Sequence, residues 1–206
     1  MLRSDPSNAA SYTIAMQAPP GDIVAPHGFP ADPRPAGAPK TFLDAMDVRI
    51  KVFCDEQHCA IEPELDEDDP RSWHWVVYPV ESASDASNPG EPVSVIRIVP
   101  PPHGPHPNGD QDPDEEPYVK LGRVATVQHA RGKGLSRLVT EEAFRWLSDH
   151  SDEVGHGWKG LVLTHAQVDV QKMYAKLGFV TDEKLGRWDE EGIQHLGMWK
   201  RIALAP

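Results

Sequence analysis

Residues 131–137 read Arg-Gly-Lys-Gly-Leu-Ser-Arg, which sets three cations around two closely spaced glycines in a chain of formal net charge −12. A β-like run precedes them and an amphipathic helical pattern follows. The first turn of a helix has unpaired N–H groups and a partial positive charge, so it suits an anion such as phosphate. Gly132 and Gly134 let main chain approach closely, and Ser136 keeps the next turn small. Cations at a helix start cost that helix roughly a few tenths of a kcal/mol, and a bound anion reverses the sign. The spacing is not that of a Walker loop, and the dinucleotide fingerprint fails after its second glycine.

Other residues could carry proton chemistry. Tyr174 lies in "MYAKLGF", His74 in the aromatic run "SWHWVVYPV", and His165 at the end of "GLVLTH". His195 follows the acidic turn formed by Asp189, Glu190, Glu191 and Gly192. Residues 55–70 hold eight acids and no Lys or Arg, which reads either as a solvated face or as a surface that draws in a cationic amine. Glu56, in "VFCDEQ", is the first candidate for a base, with His74 and His165 as alternatives. Cys54 and Cys59 are too few for a disulfide framework or a zinc site and are expected to be ordinary small side chains. No metal is expected. The Asp-Gln-Asp-Pro-Asp run at 110–114 has Glu115 where a calcium loop requires glycine.

The elements that must position these groups can be read in order. Strands are expected at 12–17, 72–80, 91–99, 118–127 and 160–165, then around Phe179 and over 193–202. The strands at 72–80 and 91–99 are expected to join through a Ser/Asp/Asn/Gly turn. Thr41 can cap a helix from about Phe42 to Asp55, with Asp44 in the capping-box position. Leu135, Leu138, Val139, Ala143, Trp146 and Leu147 recur at helical spacing over about 132–148. Val170, Met173 and Leu177 mark a last helix that Gly178 stops. Strands mixed with helices in this order predict an α/β domain with a mixed sheet.

Composition sets limits. A chain of 206 residues suits one domain, with residues 1–11 as a tail. Fifteen of its 21 prolines fall in 1–40 or 100–117, marking these two stretches as connectors and the second as a solvated loop. The acidic balance argues against nucleic acid and anionic membrane as partners, and no apolar run approaches a bilayer span. The expected setting is reducing and intracellular, in the cytoplasm.

"VATVQHARGKGLS", followed about thirty residues later by "LTHAQVDVQKMYAKLGF", resembles the GNAT N-acetyltransferase superfamily. The resemblance spans most of residues 42–202, and it implies that the proline-rich stretches 18–40 and 100–117, without counterpart in its pattern, are insertions. It implies a single domain over 12–206, with a mixed, mostly antiparallel sheet of six to seven strands and about four helices. It further implies that Arg131, Gly132, Lys133, Gly134, Leu135, Ser136 and Arg137 hold the diphosphate of acetyl-CoA. Val124, Ala125, Thr126 and Val127 would pair with the pantetheine arm, Gln167 would join the cofactor site, and Tyr174 would be the general acid for the departing thiolate. The expected acceptor is a small cationic amine, with His74, His165 and His195 near it. A protein or peptide acceptor and a non-catalytic acetyl-CoA-binding module are the alternatives. A two-fold homodimer is the expected assembly.

Overall fold

In the computed structural model, residues 12–25, 32–80, 90–109 and 114–206 are described. The tail at 1–11, the turn at 81–89, and parts of both proline-rich stretches, including 110–113 of the calcium-like run, lie outside them. The fold is α/β. Its eight strands are β1 (Tyr12–Gln17), β2 (Trp73–Pro79), β3 (Ser94–Val99), β4 (Tyr118–Thr126), β5 (Leu161–Gln167), β6 (Val180–Thr181), β7 (Arg187–Glu190) and β8 (Ile193–Arg201). They join in the order β1-β2-β3-β4-β5-β8-β6, and β7 pairs with β8. β4 and β5 run parallel, whereas β1–β2, β5–β8, β6–β8 and β7–β8 are antiparallel. The helices are α1 (Lys40–Arg49), α2 (Leu135–Asp149), α3 (Ser151–Val154) and α4 (Gln171–Lys176). The short β7 is the strand that periodicity missed, since four residues are too few to show alternation.

Two compact units can be distinguished: residues 1–97 with 123–142, and residues 98–122 with 143–206. In the first, α1 starts one residue before Thr41, with Pro39 at the cap position and no side-chain cap bond. The expected capping box is therefore absent. Proline supplies a fixed φ and no N–H of its own, which suits a helix entry. Asp44 instead accepts from Lys40 at 2.6 Å and from the Tyr78 hydroxyl at 2.7 Å. The helix then widens into a π-helical stretch over Ile50–Glu56. Phe42, Met46 and Ile50 pack with Val24, Ala38 and Leu65, so part of the 18–40 insertion belongs to this core. Truncating a buried residue such as Phe42 to alanine typically costs about 3–5 kcal/mol.

Within the acidic stretch 55–70, Glu64, Asp66 and Asp69 are neither a solvated face nor a lure for substrate, whereas Asp55, Glu56, Glu62 and Glu67 are exposed. Arg49 reaches Asp69 at 2.7 Å and Glu64 at 2.6 Å. Arg97 reaches Asp66 at 2.6 Å and Asp69 at 2.9 Å, and Arg123 reaches Glu64 at 3.1 Å and Asp66 at 3.0 Å. Burial alone would raise the carboxyl of Asp69, yet Arg49 and Arg97 hold it well below the ordinary range. Three guanidinium groups thus neutralise three carboxylates. Removing one member would leave a buried charge unpaired, at a typical cost of about 3–5 kcal/mol.

In the second unit, Tyr118, Leu163 and Leu185 pack with Leu161, Trp188 and Trp199. The 100–117 stretch is not wholly a solvated loop. His106 is buried, bonds to Glu115 at 2.7 Å and stacks on Tyr118, and a ring nitrogen of His103 meets the Tyr118 carbonyl at 2.9 Å. Aromatic stacking and paired imidazoles supply the burial that the aliphatic content could not. Of the residues expected on the last helix, Tyr174 is the buried one, while Val170 is exposed.

Candidate active site

The loop leading into α2 is built to present main chain. A 3-10 turn over Gln128–Ala130 ends β4, and Leu135, only 2% exposed, plugs the start of the helix into the core. Between these anchors Gly132 and Gly134 have φ of +77° and +76°, which L side chains rarely adopt. An added Cβ at either would meet nothing within 4 Å. Backbone conformation therefore calls for the glycines, which are not needed to relieve an internal clash.

Side chains frame this cradle. Arg131 donates from Nε to the Thr126 carbonyl at 2.9 Å and forms an ion pair with Glu56 through Nη2. The structure thus brings together two residues that the sequence had separated by role, a phosphate ligand and a base. Arg137 reaches along the helix to Glu141 at 2.7 Å, and Lys133 is exposed. Ser136 Oγ lies 3.0 Å from Thr126 Oγ1, which lies 2.8 Å from Ser94 Oγ, and Ser94 donates to the Ala125 carbonyl at 2.9 Å. Val127 donates its N–H to the Val93 carbonyl at 3.0 Å. A recess of about 360 Å³ in this unit has Val127, Gln128 and His129 along one border. Lys51, Asp55, Glu56 and Glu91 also line it, with Lys51 3.7 Å from Glu91 and Arg131 paired with Glu56.

The second unit holds Tyr174, Gln167, His165 and His195. Tyr174 is buried, and its ring meets Phe179 edge-on at 5.6 Å between centroids. Burial pushes its phenol up to about 12, opposed only by the hydroxyl of Thr164. Neighbouring strand residues face opposite ways. Thr164 and His165 therefore put Tyr174 and His165 on opposite sides of β5. Gln167 pairs in register with His195 at the end of that strand. His195 is mostly buried and its Nδ1 lies 2.9 Å from the Ile193 carbonyl. Asp189 is spent on the hairpin, accepting from Gly192 at 2.8 Å and from Gln194 at 3.2 Å.

His74 does not belong to an acceptor site. It is wholly buried in the first unit, 3.8 Å from Asp69, with Phe42 edge-on at 5.1 Å. Burial, opposed by Asp69 but reinforced by Arg49 and Arg97, holds its ring at about 3, against an ordinary 6.5. Burial, then Lys120 and three neighbouring histidines, does the same to His165. Both rings resist protonation when folded and accept it when unfolded, so their contribution is complete above pH 6.5 and is lost as pH falls toward 3. Each should remove about 1.4 kcal/mol of stability per pH unit across that window. Urea unfolding at pH 7.5, 5.5 and 4.5 measures this, and a flat profile would contradict the burial of these rings.

The sequence model of the acetyltransferase (GNAT) family matches residues 49–179, more than half of the chain. The chain belongs to the GNAT acetyltransferase family. It is an N-acetyltransferase, and acetyl-CoA is the acetyl donor of GNAT enzymes. Solved structures agree on the fold. An acyl-CoA N-acyltransferase from Pseudomonas aeruginosa superposes with a TM-score of 0.58 at 21% identity, covering 92% of this chain and 99% of that one. Escherichia coli ElaA gives 0.54 at 24% identity, covering 77% and 88%. The NatC complex bound to Gag peptide and CoA gives 0.51 at 12% identity, covering 92% and 99%. Within the GNAT fold, the parallel register of β4 with β5 covers Tyr118–Leu121 against Leu161–Thr164, and both strands continue beyond it. No helix among the described residues is long and apolar enough to cross a membrane.

Proposed function

We propose that this GNAT enzyme transfers the acetyl group directly to a small cationic amine, with Tyr174 donating to the departing sulfur. The observation that carries the coenzyme part is the uncovered pair of left-handed glycines opening α2. Main-chain N–H groups of residues 132–136, with Arg131, Lys133 and Arg137, would take the diphosphate. Val124–Val127 and Gln167 would meet the pantetheine arm. Three carboxylates at the recess, Asp55, Glu56 and Glu91, against two cations, Lys51 and Arg131, leave one carboxylate in excess, which supports a cationic acceptor.

Attack on the thioester needs a neutral amine, so a base must take one proton. Glu56 is the proposed base, acting through water. Its carboxylate pairs with Arg131, the residue that opens the glycine turn. A diphosphate that recruits Arg131 would free the Glu56 carboxylate from that ion pair.

A thiol-release assay with acetyl-CoA across diamines, amino sugars, amino acids and lysine peptides tests the reading. Release on free diamines or amino sugars and not on peptides is expected. Glu56→Gln should then lower kcat by about 10²-fold or more, the usual worth of a positioned base. Preference for peptides would overturn the acceptor class, and an unchanged kcat and pH profile would clear Glu56.

A further inference from the structure

Three strands of the second unit bring a carboxylate and two imidazoles together. His165 lies opposite Gly197 in the β5–β8 register, and His195 lies opposite Trp188 in the β7–β8 register. His195 and Gly197 are two apart on β8, so His165, His195 and Trp188 share one face of the sheet. Glu190 hangs over it from β7. Its Oε1 is 4.0 Å from His165 Nδ1, and its Oε2 is 3.9 Å from His195 Nε2. Both separations are too long for hydrogen bonds. The Trp188 indole N–H donates to Glu190 Oε1 at 2.6 Å, and the indole ring meets His165 edge-on at 4.9 Å.

The hydrogen-bonding polarity of this group is unbalanced. A backbone carbonyl can only accept, so the contact between His195 Nδ1 and the Ile193 carbonyl fixes the proton on Nδ1. In the neutral ring Nε2 then turns a lone pair toward a carboxylate that also only accepts. His165 has its Nε2 buried without a hydrogen-bond partner, and its other nitrogen faces the same carboxylate. Glu190 remains about half exposed, so the arrangement is reachable from outside. Acceptors set about 4 Å apart can each lie about 2.9 Å from one shared nitrogen donor. Among the described residues no cluster of His, Cys, Asp and Glu could hold a metal ion.

We propose that Glu190, His165 and His195 hold a primary ammonium group of the acceptor, its three N–H donors filling the gap between the carboxylate and the two imidazoles. The proposal rests on the cationic-amine reading and gives it an address. The carboxylate supplies the charge and the imidazoles supply direction, so a quaternary ammonium of equal charge is rejected for want of N–H donors. These residues bind the acceptor; none of them is asked to move a proton.

The test uses the full chain and needs no knowledge of the natural acceptor. Imidazole ¹⁵N resonances are followed while methylammonium chloride is added, with tetramethylammonium chloride at equal ionic strength as control. A saturable shift of His195 Nε2 and His165 Nδ1 with methylammonium alone is expected. Glu190→Gln should weaken it by about tenfold or more, as expected for loss of charged hydrogen bonds. Equal response to both salts, or no saturable response, would overturn the site. Calorimetry with CoA on the same sample reports the coenzyme reading separately, so CoA binding without an ammonium response would sink this proposal alone.

Discussion

Tyr174→Phe is expected to lower kcat by about 10²–10⁴-fold, the usual range for a positioned acid, with little change in CoA affinity. Burial pushes the phenol up to about 12, so it keeps its proton throughout the physiological range. A free thiol lies near 8.5, so complete transfer from such a phenol to a well-solvated thiolate would run uphill. Two considerations lower that barrier. A hydrogen bond to the departing sulfur stabilises its charge before any transfer, and the same dry surroundings that raise the phenol raise a buried thiol as well. Phenylalanine keeps the ring that meets Phe179 and removes only the hydroxyl, so packing is preserved. Steady-state kinetics beside calorimetry with CoA separates the effects. Equal losses in turnover and CoA affinity would make Tyr174 a binding residue, and no loss would remove it from the chemistry.

Gly134→Asp should weaken CoA binding by about 10³-fold, because it sets a carboxylate where the diphosphate is proposed to sit. Two like charges about 4 Å apart near a protein surface repel by about 4 kcal/mol. The substitution adds some backbone strain, since φ is +76°, though aspartate tolerates that region better than most residues. No neighbour lies within 4 Å of the added Cβ, so only the backbone strain should lower the melting temperature, by a few degrees. Gly134→Ala separates the terms, carrying strain of about 1–2 kcal/mol without charge. Added salt should partly restore binding to the aspartate variant and not to the alanine variant. If aspartate were no worse than alanine, no anion would sit at this turn.

The regular elements were legible wherever the pattern was local. β1 has the expected bounds, and α2 follows the spacing of Leu135, Val139, Ala143 and Leu147. The glycine turn opening α2 was readable because glycine pairs and misplaced cations are themselves local signals. Three features were hidden for one shared reason. Arg49, Arg97 and Arg123 neutralise acids 15 to 59 residues away, and nothing in the run 55–70 announces partners so distant. Glu56 meets Arg131 across 75 residues. Glu190, His165 and His195 converge only through strand register. The cap was misjudged differently, because Thr41 satisfied a motif that Pro39 pre-empted by geometry.

The three hydroxyls near the loop have a direction. The Ser94 proton goes to the Ala125 carbonyl, so Ser94 must receive from Thr126, and Thr126 in turn must receive from Ser136. Each group has a single hydrogen to give, and the row leaves none over at its outer end. Ser136 therefore shows a visitor bare oxygen lone pairs, which repel a diphosphate. An anion at this turn is gripped by peptide N–H groups and cations alone, and the serine acts as a doorstop that seats the helix against its strand.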